Sequence, residues 1–214
     1  MFKSLMTKNS RGKDCLWTIV LVSLVSVLCQ AAAAQEDPAK SQEKEPLDAK
    51  TTTRIALGDN SGTPGTSVPI PIYFIPAEGV EVGRLRLDVK FVSVNMKFDK
   101  LDPGLAAETG NVNLTSDVKL GKNDKGVETS TVTVQVALPS APPPKKGIPY
   151  GLLGYITLRI SMTDRPAKIR LHGSAEATEL GSGKPLKNLR ITDAEVEILA
   201  PGQLPAIACF FFSH

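Results

Sequence analysis

The sequence predicts an all-β sandwich. Three observations carry that expectation. Hydrophobic and polar side chains alternate with period two in one segment after another. Clusters of turn-forming residues separate those segments. No amphipathic helix longer than about two turns can be traced. Period two puts successive side chains on opposite faces of a strand, so each such segment has one face to bury and one to hydrate. About eight or nine short strands with turn signals between them suit two sheets packed face to face.

The segments follow in order. Ile55 and Leu57 open the pattern. In residues 68–75, Val68, Ile70, Ile72 and Phe74 point one way, with Pro69 and Pro71 on the other face. Proline has no N–H to give to a neighbour, so this strand is expected at a sheet edge. Residues 84–91 show the clearest alternation: Leu85, Leu87, Val89 and Phe91 for the core, against Arg84, Arg86, Asp88 and Lys90 for the outside. Val132, Val134, Val136 and Leu138 repeat it, then Ile156, Leu158, Ile160 and Met162. Ile169 with Leu171, Leu189 with Ile191, and Val196 with Ile198 complete the set. Gly58-Asp59-Asn60-Ser61-Gly62, Asp102-Pro103-Gly104, Asn123-Asp124-Lys125-Gly126, Pro142-Pro143-Pro144 and Gly181-Ser182-Gly183 supply the turns. Residues 101–109 are the one place for a short helix.

The ends of the chain read differently. Lys3, Lys8, Arg11 and Lys13 precede an uncharged apolar run from Cys15 to Cys29, then Gln30 and four alanines. A basic start, an apolar centre and small residues form the pattern of a secretory signal peptide over residues 1–34, with cleavage after Ala34. The run falls short of the roughly 20 residues of a membrane-spanning helix, which argues against an uncleaved anchor. A lipoprotein would use Cys29, where bulky Leu28 fits poorly. Residues 35–51 are polar and charged and read as a disordered linker. Residues 52–199 form the domain, and 200–214 a C-terminal tail carrying Cys209 and three phenylalanines.

Removing residues 1–34 takes away four basic residues and one acid. Lys+Arg falls from 25 to 21 and Asp+Glu from 22 to 21. The expected secreted chain is neutral, contains no tryptophan and keeps one cysteine, so it cannot form an internal disulfide. Neutrality gives no footprint for nucleic-acid binding, and no stable membrane span remains.

Together, the order of motifs resembles a cohesin domain. The carriers are Ile55-Ala56-Leu57-Gly58 leading to Gly62-Thr63-Pro64-Gly65 and a Val/Pro-rich strand, then the Gly-initiated strand of residues 82–91 ending in Phe91. Asp102-Pro103-Gly104, the Gly151-Leu152-Leu153-Gly154 strand, Ala175-x-Ala177-Thr178 and the closing segment of residues 191–198 follow in matching order. The resemblance covers about residues 54–199. It implies a nine-stranded jelly-roll sandwich that binds a dockerin-type protein through one sheet face, without catalysis or cofactor. The long Pro-rich loop of residues 139–150 departs from the pattern. No dockerin-like Asp-x-Asn-x-Asp-Gly repeat occurs in this chain, so such a partner is a separate molecule.

The residues nominate a face for that partner. Arg86, Asp88 and Lys90 lie on the outer side of their strand, and Thr131, Thr133 and Gln135 on the outer side of another. Charged and hydroxyl side chains on a flat sheet set orientation and register through hydrogen bonds; the same residues also suit a merely solvated face. A carbohydrate-binding or adhesive sandwich is the alternative. It would need an aromatic platform, for which Tyr73 and Tyr150 are the candidates.

Chemistry has little material. Short metal, nucleophile-elbow and Cys-x-x-Cys motifs are missing from the sequence. His172 stands alone at a strand end and reads as a surface or packing residue. Gly181-Ser182-Gly183-Lys184 resembles a phosphate loop without its spacing and reads as a hairpin turn. Asp59, Asp99, Asp102 and Asp124 do not follow a calcium-loop spacing. Asn113-Leu114-Thr115 fits the glycosylation triplet, and a turn is the simpler reading.

Overall fold

A computed structural model describes residues 50–141 and 144–203. The expected signal peptide of residues 1–34, nearly all of the expected linker of residues 35–51, Pro142-Pro143, and the tail segment with Cys209 and its phenylalanines lie outside the described residues. Eleven strands occur in chain order: β1 (Thr53–Leu57), β2 (Asn60–Gly62), β3 (Ser67–Ile75), β4 (Val82–Val92), β5 (Met96–Pro103), β6 (Asn113–Lys122), β7 (Glu128–Ala137), β8 (Gly151–Ile160), β9 (Ala167–Glu179), β10 (Leu189–Thr192) and β11 (Ala194–Ile198). Among the described residues, one short helix, α1 (Leu105–Thr109), follows β5. The strands form a five-stranded sheet of order β10-β1-β3-β8-β5 and a six-stranded sheet of order β2-β11-β9-β4-β7-β6.

Eleven strands stand where nine are expected: β2, β5 and β6 are additional to the segments read from the alternation, and both terminal runs serve two sheets. The first run breaks at Gly58-Asp59 into β1 and β2, and the last breaks at Asp193 into β10 and β11. β1 pairs parallel to β10 in one sheet, and β2 pairs parallel to β11 in the other. The two runs therefore cross between the sheets side by side. Each break leaves backbone groups without a ladder partner, and in each an aspartate supplies one. Asp59 Oδ1 accepts the Glu195 N–H at 2.7 Å, and Asp193 Oδ1 accepts the Gly173 N–H at 2.9 Å.

The same crossing corrects the expectation for the proline-containing strand. β3 is interior, between β1 and β8. Its pairing with β1, however, covers only Ile72 to Ile75, while β8 pairs from Ser67 onward. Along its first half β3 has no neighbour on that side, because after β1 the chain crosses to the other sheet as β2. The prolines sit there. The Pro71 carbonyl accepts the Gly58 N–H at 3.0 Å and the Pro69 carbonyl accepts Asn60 Nδ2 at 2.7 Å. No partner strand needs their missing N–H groups.

The core lies between the sheets, as the alternation predicts. Ile55, Ile70, Ile72, Phe74, Ile156 and Leu158 come from one side, and Leu87, Val132, Val134, Leu171 and Val196 from the other; all are essentially inaccessible. Met162 is a correction: β8 ends at Ile160, and Met162 is 82% exposed in the following turn. The helix is shorter than residues 101–109, because Leu101 to Pro103 stay paired with β8. β6 carries only weak alternation and stands out as a strand only through its ten-pair ladder with β7.

Candidate functional site

The six nominated residues fall on β4 and β7, adjacent strands of the six-stranded sheet. Arg86 stands opposite Gln135, Asp88 opposite Thr133, and Lys90 opposite Thr131. The register runs unbroken from Arg84 and Ala137 to Val92 and Thr129, which keeps the face regular. Asp88 ties the two strands together: it forms an ion pair with Arg86 at 3.2 Å and accepts the Thr133 hydroxyl at 2.5 Å. Thr133 is almost fully buried under these neighbours. Its role is to hold Asp88, while Arg86, Lys90 and Gln135 are exposed.

Two flanking strands widen the face, and sequence reasoning missed their residues. On β9, Glu176, Ser174 and His172 stand opposite Arg86, Asp88 and Lys90. On β6, Thr115, Asp117 and Lys119 stand opposite Gln135, Thr133 and Thr131. Three cross-strand rows result. One holds Glu176, Arg86, Gln135 and Thr115; the next Ser174, Asp88, Thr133 and Asp117; the third His172, Lys90, Thr131 and Lys119. Acids occupy the middle row and bases the third, so charge changes sign from the one row to the other across the face. β9 was hard to extend from sequence because its inward side is Gly173, Ala175 and Ala177. A Cβ on Gly173 would lie 2.3 Å from Ile191 Cδ1, so the strand keeps small residues where the crossing β10 packs.

Toward β11 the same face neutralises itself. Lys168 pairs with Glu195 at 3.0 Å. Its ammonium is held above the usual value by the hydrogen bond and charge of Glu195, then by Glu197 and Asp59.

His172 Nδ1 lies 3.0 Å from Asp193 Oδ2, so the face is joined to the β10–β11 crossing. Partial burial pushes the Asp193 carboxyl upward. The Gly173 N–H, the His172 hydrogen bond and charge, and Arg170 outweigh it and hold the group below the usual carboxylate value. A lowered folded-state pKa contributes stability above the unfolded pKa of about 4, and that contribution is lost as pH falls through the folded value. Asp193→Asn is therefore expected to cost under about 1 kcal/mol at pH 7, because water screens so exposed a pair. The gap between wild type and variant should close toward pH 3 in urea-denaturation series.

The aromatic candidates lie elsewhere. Tyr73 is 43% exposed on the outer side of β3, in the five-stranded sheet; Tyr155, opposite Pro71, shares that side. Tyr150 is 78% exposed in the loop before β8 and lines a cleft of about 840 Å³ with Ala77, Val80, Leu138 and Ile148. The polar rows and Tyr73 thus occupy opposite faces of the sandwich. Among the described residues, no group of three or more His, Cys, Asp or Glu side chains converges as a metal site. Asn123 shapes the β6–β7 turn, its Oδ1 accepting the Lys125 and Val127 N–H groups.

No protein-family model matches this chain, and no curated protein matches it. Solved structures do. The third cohesin of ScaC from Acetivibrio cellulolyticus, solved with the ScaB dockerin, matches with a TM-score of 0.52 at 16% identity, over 69% of this chain and 99% of that one. The seventh ScaB type I cohesin from Pseudobacteroides cellulosolvens matches with a TM-score of 0.53 at 13% identity, over 72% and 96%. The sixth cohesin of scaffoldin B from A. cellulolyticus, solved with a Cel5 dockerin variant, gives 0.52 at 14% identity, over 70% and 100%. At such identities the likeness resides in the arrangement of strands, and the two-sheet sandwich of this chain has a cohesin-like fold.

Proposed function

We propose that this chain is a secreted, non-catalytic binding module that docks a dockerin-type protein on the outer face of the six-stranded sheet. The observation that carries the reading is the grid of polar rows on β9, β4, β7 and β6, flat in register and ordered in charge. The cohesin-like fold supports it, since the similar structures include cohesins solved with dockerins. The basic, apolar and small-residue pattern of residues 1–34 supports export. An extracellular assembly of enzymes or surface proteins is the setting such a module would serve.

The test is capture from the source organism's secreted proteins, scored for proteins with calcium-binding dockerin repeats. Arg86→Ala and Asp88→Ala are each expected to weaken capture about tenfold, equivalent to about 1.4 kcal/mol. Tyr73→Ala, on the opposite face, should leave it unchanged. Equal capture by wild type and both face variants would remove the reading.

Tyr73 and Tyr155 on the outer side of the five-stranded sheet favour a second reading, carbohydrate binding. Affinity electrophoresis on insoluble glucans decides it: retardation lost in Tyr73→Ala would move the function to that side, and retardation lost in Tyr150→Ala would move it to the cleft before β8.

A further inference from the structure

We propose that β6 is a self-pairing edge, through which two copies of this chain join antiparallel strands about a twofold axis at Val118. The inference is independent of the dockerin reading.

Sheet edges are normally blunted by proline, a bulge, lysines along the edge or an inward-pointing charge. β6 has neither proline nor bulge; its lysines are Lys119, on the outer side, and Lys122, at its last position. Its ladder with β7 is unbroken from Asn113 to Lys122, no proline interrupts it, and Leu114, Ser116, Val118 and Leu120 on its inward side are uncharged. It is the last strand of its sheet, with no strand beyond it among the described residues. Val118 is 38% and Leu120 81% exposed, although both are directed to the core side.

The backbone supplies the phase. The Asn123 N–H bonds to the Val127 carbonyl in the turn. Hydrogen-bonding direction alternates along an antiparallel strand. Residues 121, 119, 117 and 115 therefore bond to β7, and residues 122, 120, 118, 116 and 114 offer their N–H and C=O groups to the open edge. A copy centred on Val118 sets Val118 against Val118 and Ser116 against Leu120 as mutually bonded pairs. It also brings the two exposed apolar side chains of each copy together.

The charges select that centre. On the outer side the register places Asp117 of each copy opposite Lys119 of the other, in the close non-hydrogen-bonded position. Shifting the axis by one residue would oppose Asp117 to Asp117 or Lys119 to Lys119, and like charges facing each other across strands are destabilising. Joined this way, the polar rows on the six-stranded sheet continue across the axis, making one platform from two copies.

Sedimentation equilibrium of the full chain over a concentration series tests this. Wild type is expected to show a reversible monomer–dimer equilibrium. Asp117→Lys should weaken the dimer at least tenfold, by setting lysine against Lys119. Combining Asp117→Lys with Lys119→Asp should return it to within about threefold of wild type. A wild type that stays monomeric overturns the proposal, as does a dimer indifferent to Asp117→Lys or a double variant that fails to recover.

Discussion

Replacing Phe74 by alanine is expected to remove about 3–5 kcal/mol of stability. Phe74 is completely buried at the end of the inward row of β3. Its backbone is held on both sides, paired to Ile55 on β1 and to Gly151 on β8. Strands bonded on two edges cannot slide inward to fill the space left by the ring, so the cavity persists. Most of the transfer energy and the cavity cost are then lost together. Against a typical total of about 5–15 kcal/mol, the variant should still fold in the cold, with a Tm lower by on the order of 10 °C. Far-UV circular dichroism through a urea titration reads this as a fall in midpoint at constant slope. Phe74→Leu, which keeps most of the volume, should cost under about 1.5 kcal/mol. A Phe74→Ala loss below 1 kcal/mol would show that the sheets are less tightly coupled than their pairing implies.

Gly154→Val should cost about 3 kcal/mol for the opposite reason, overpacking. Gly154 lies mid-strand in β8, between Ile72 and Pro103. A Cβ there would stand 2.7 Å from the Asp102 carbonyl oxygen and 2.9 Å from Leu114 Cδ2. The leucine can rotate away; the carbonyl belongs to the neighbouring strand and cannot. Gly121 on β6 is the control. A Cβ there would meet only Thr129 Oγ1 at 3.6 Å, so Gly121→Ala should change stability by no more than about 0.5 kcal/mol. Thermal melts of both variants decide the matter, and equal melting points would refute the packing argument.

These two positions show how differently the sequence exposes its constraints. Phe74 was legible because it falls in step with Val68, Ile70 and Ile72, and period two needs no knowledge of the neighbour. The glycine of the Leu152-Leu153-Gly154 motif was visible as a motif without a reason; its reason is a carbonyl on another strand. The candidate face divides the same way. Arg86, Asp88 and Lys90 follow from alternation in one segment. Their alignment with Gln135, Thr133 and Thr131 is a matter of register between strands some forty residues apart, which periodicity does not encode. β6 was passed over because Ser116 interrupts its apolar side and nothing covers Val118 or Leu120 strongly enough to demand a hydrophobic run.

By itself, the sequence determined the class of the fold, the inward face of most strands and the outward position of the nominated polar residues, because each depends on chemistry repeating at a spacing of two along one stretch of chain. Tertiary structure alone decided that the terminal runs split at Gly58-Asp59 and Asp193 to serve both sheets, that prolines sit on an interior strand where its neighbour departs, and that four strands align their polar side chains into rows. Those outcomes are set by which strands lie side by side and in what register, and the hydrogen bonds that establish both join residues far apart in the chain.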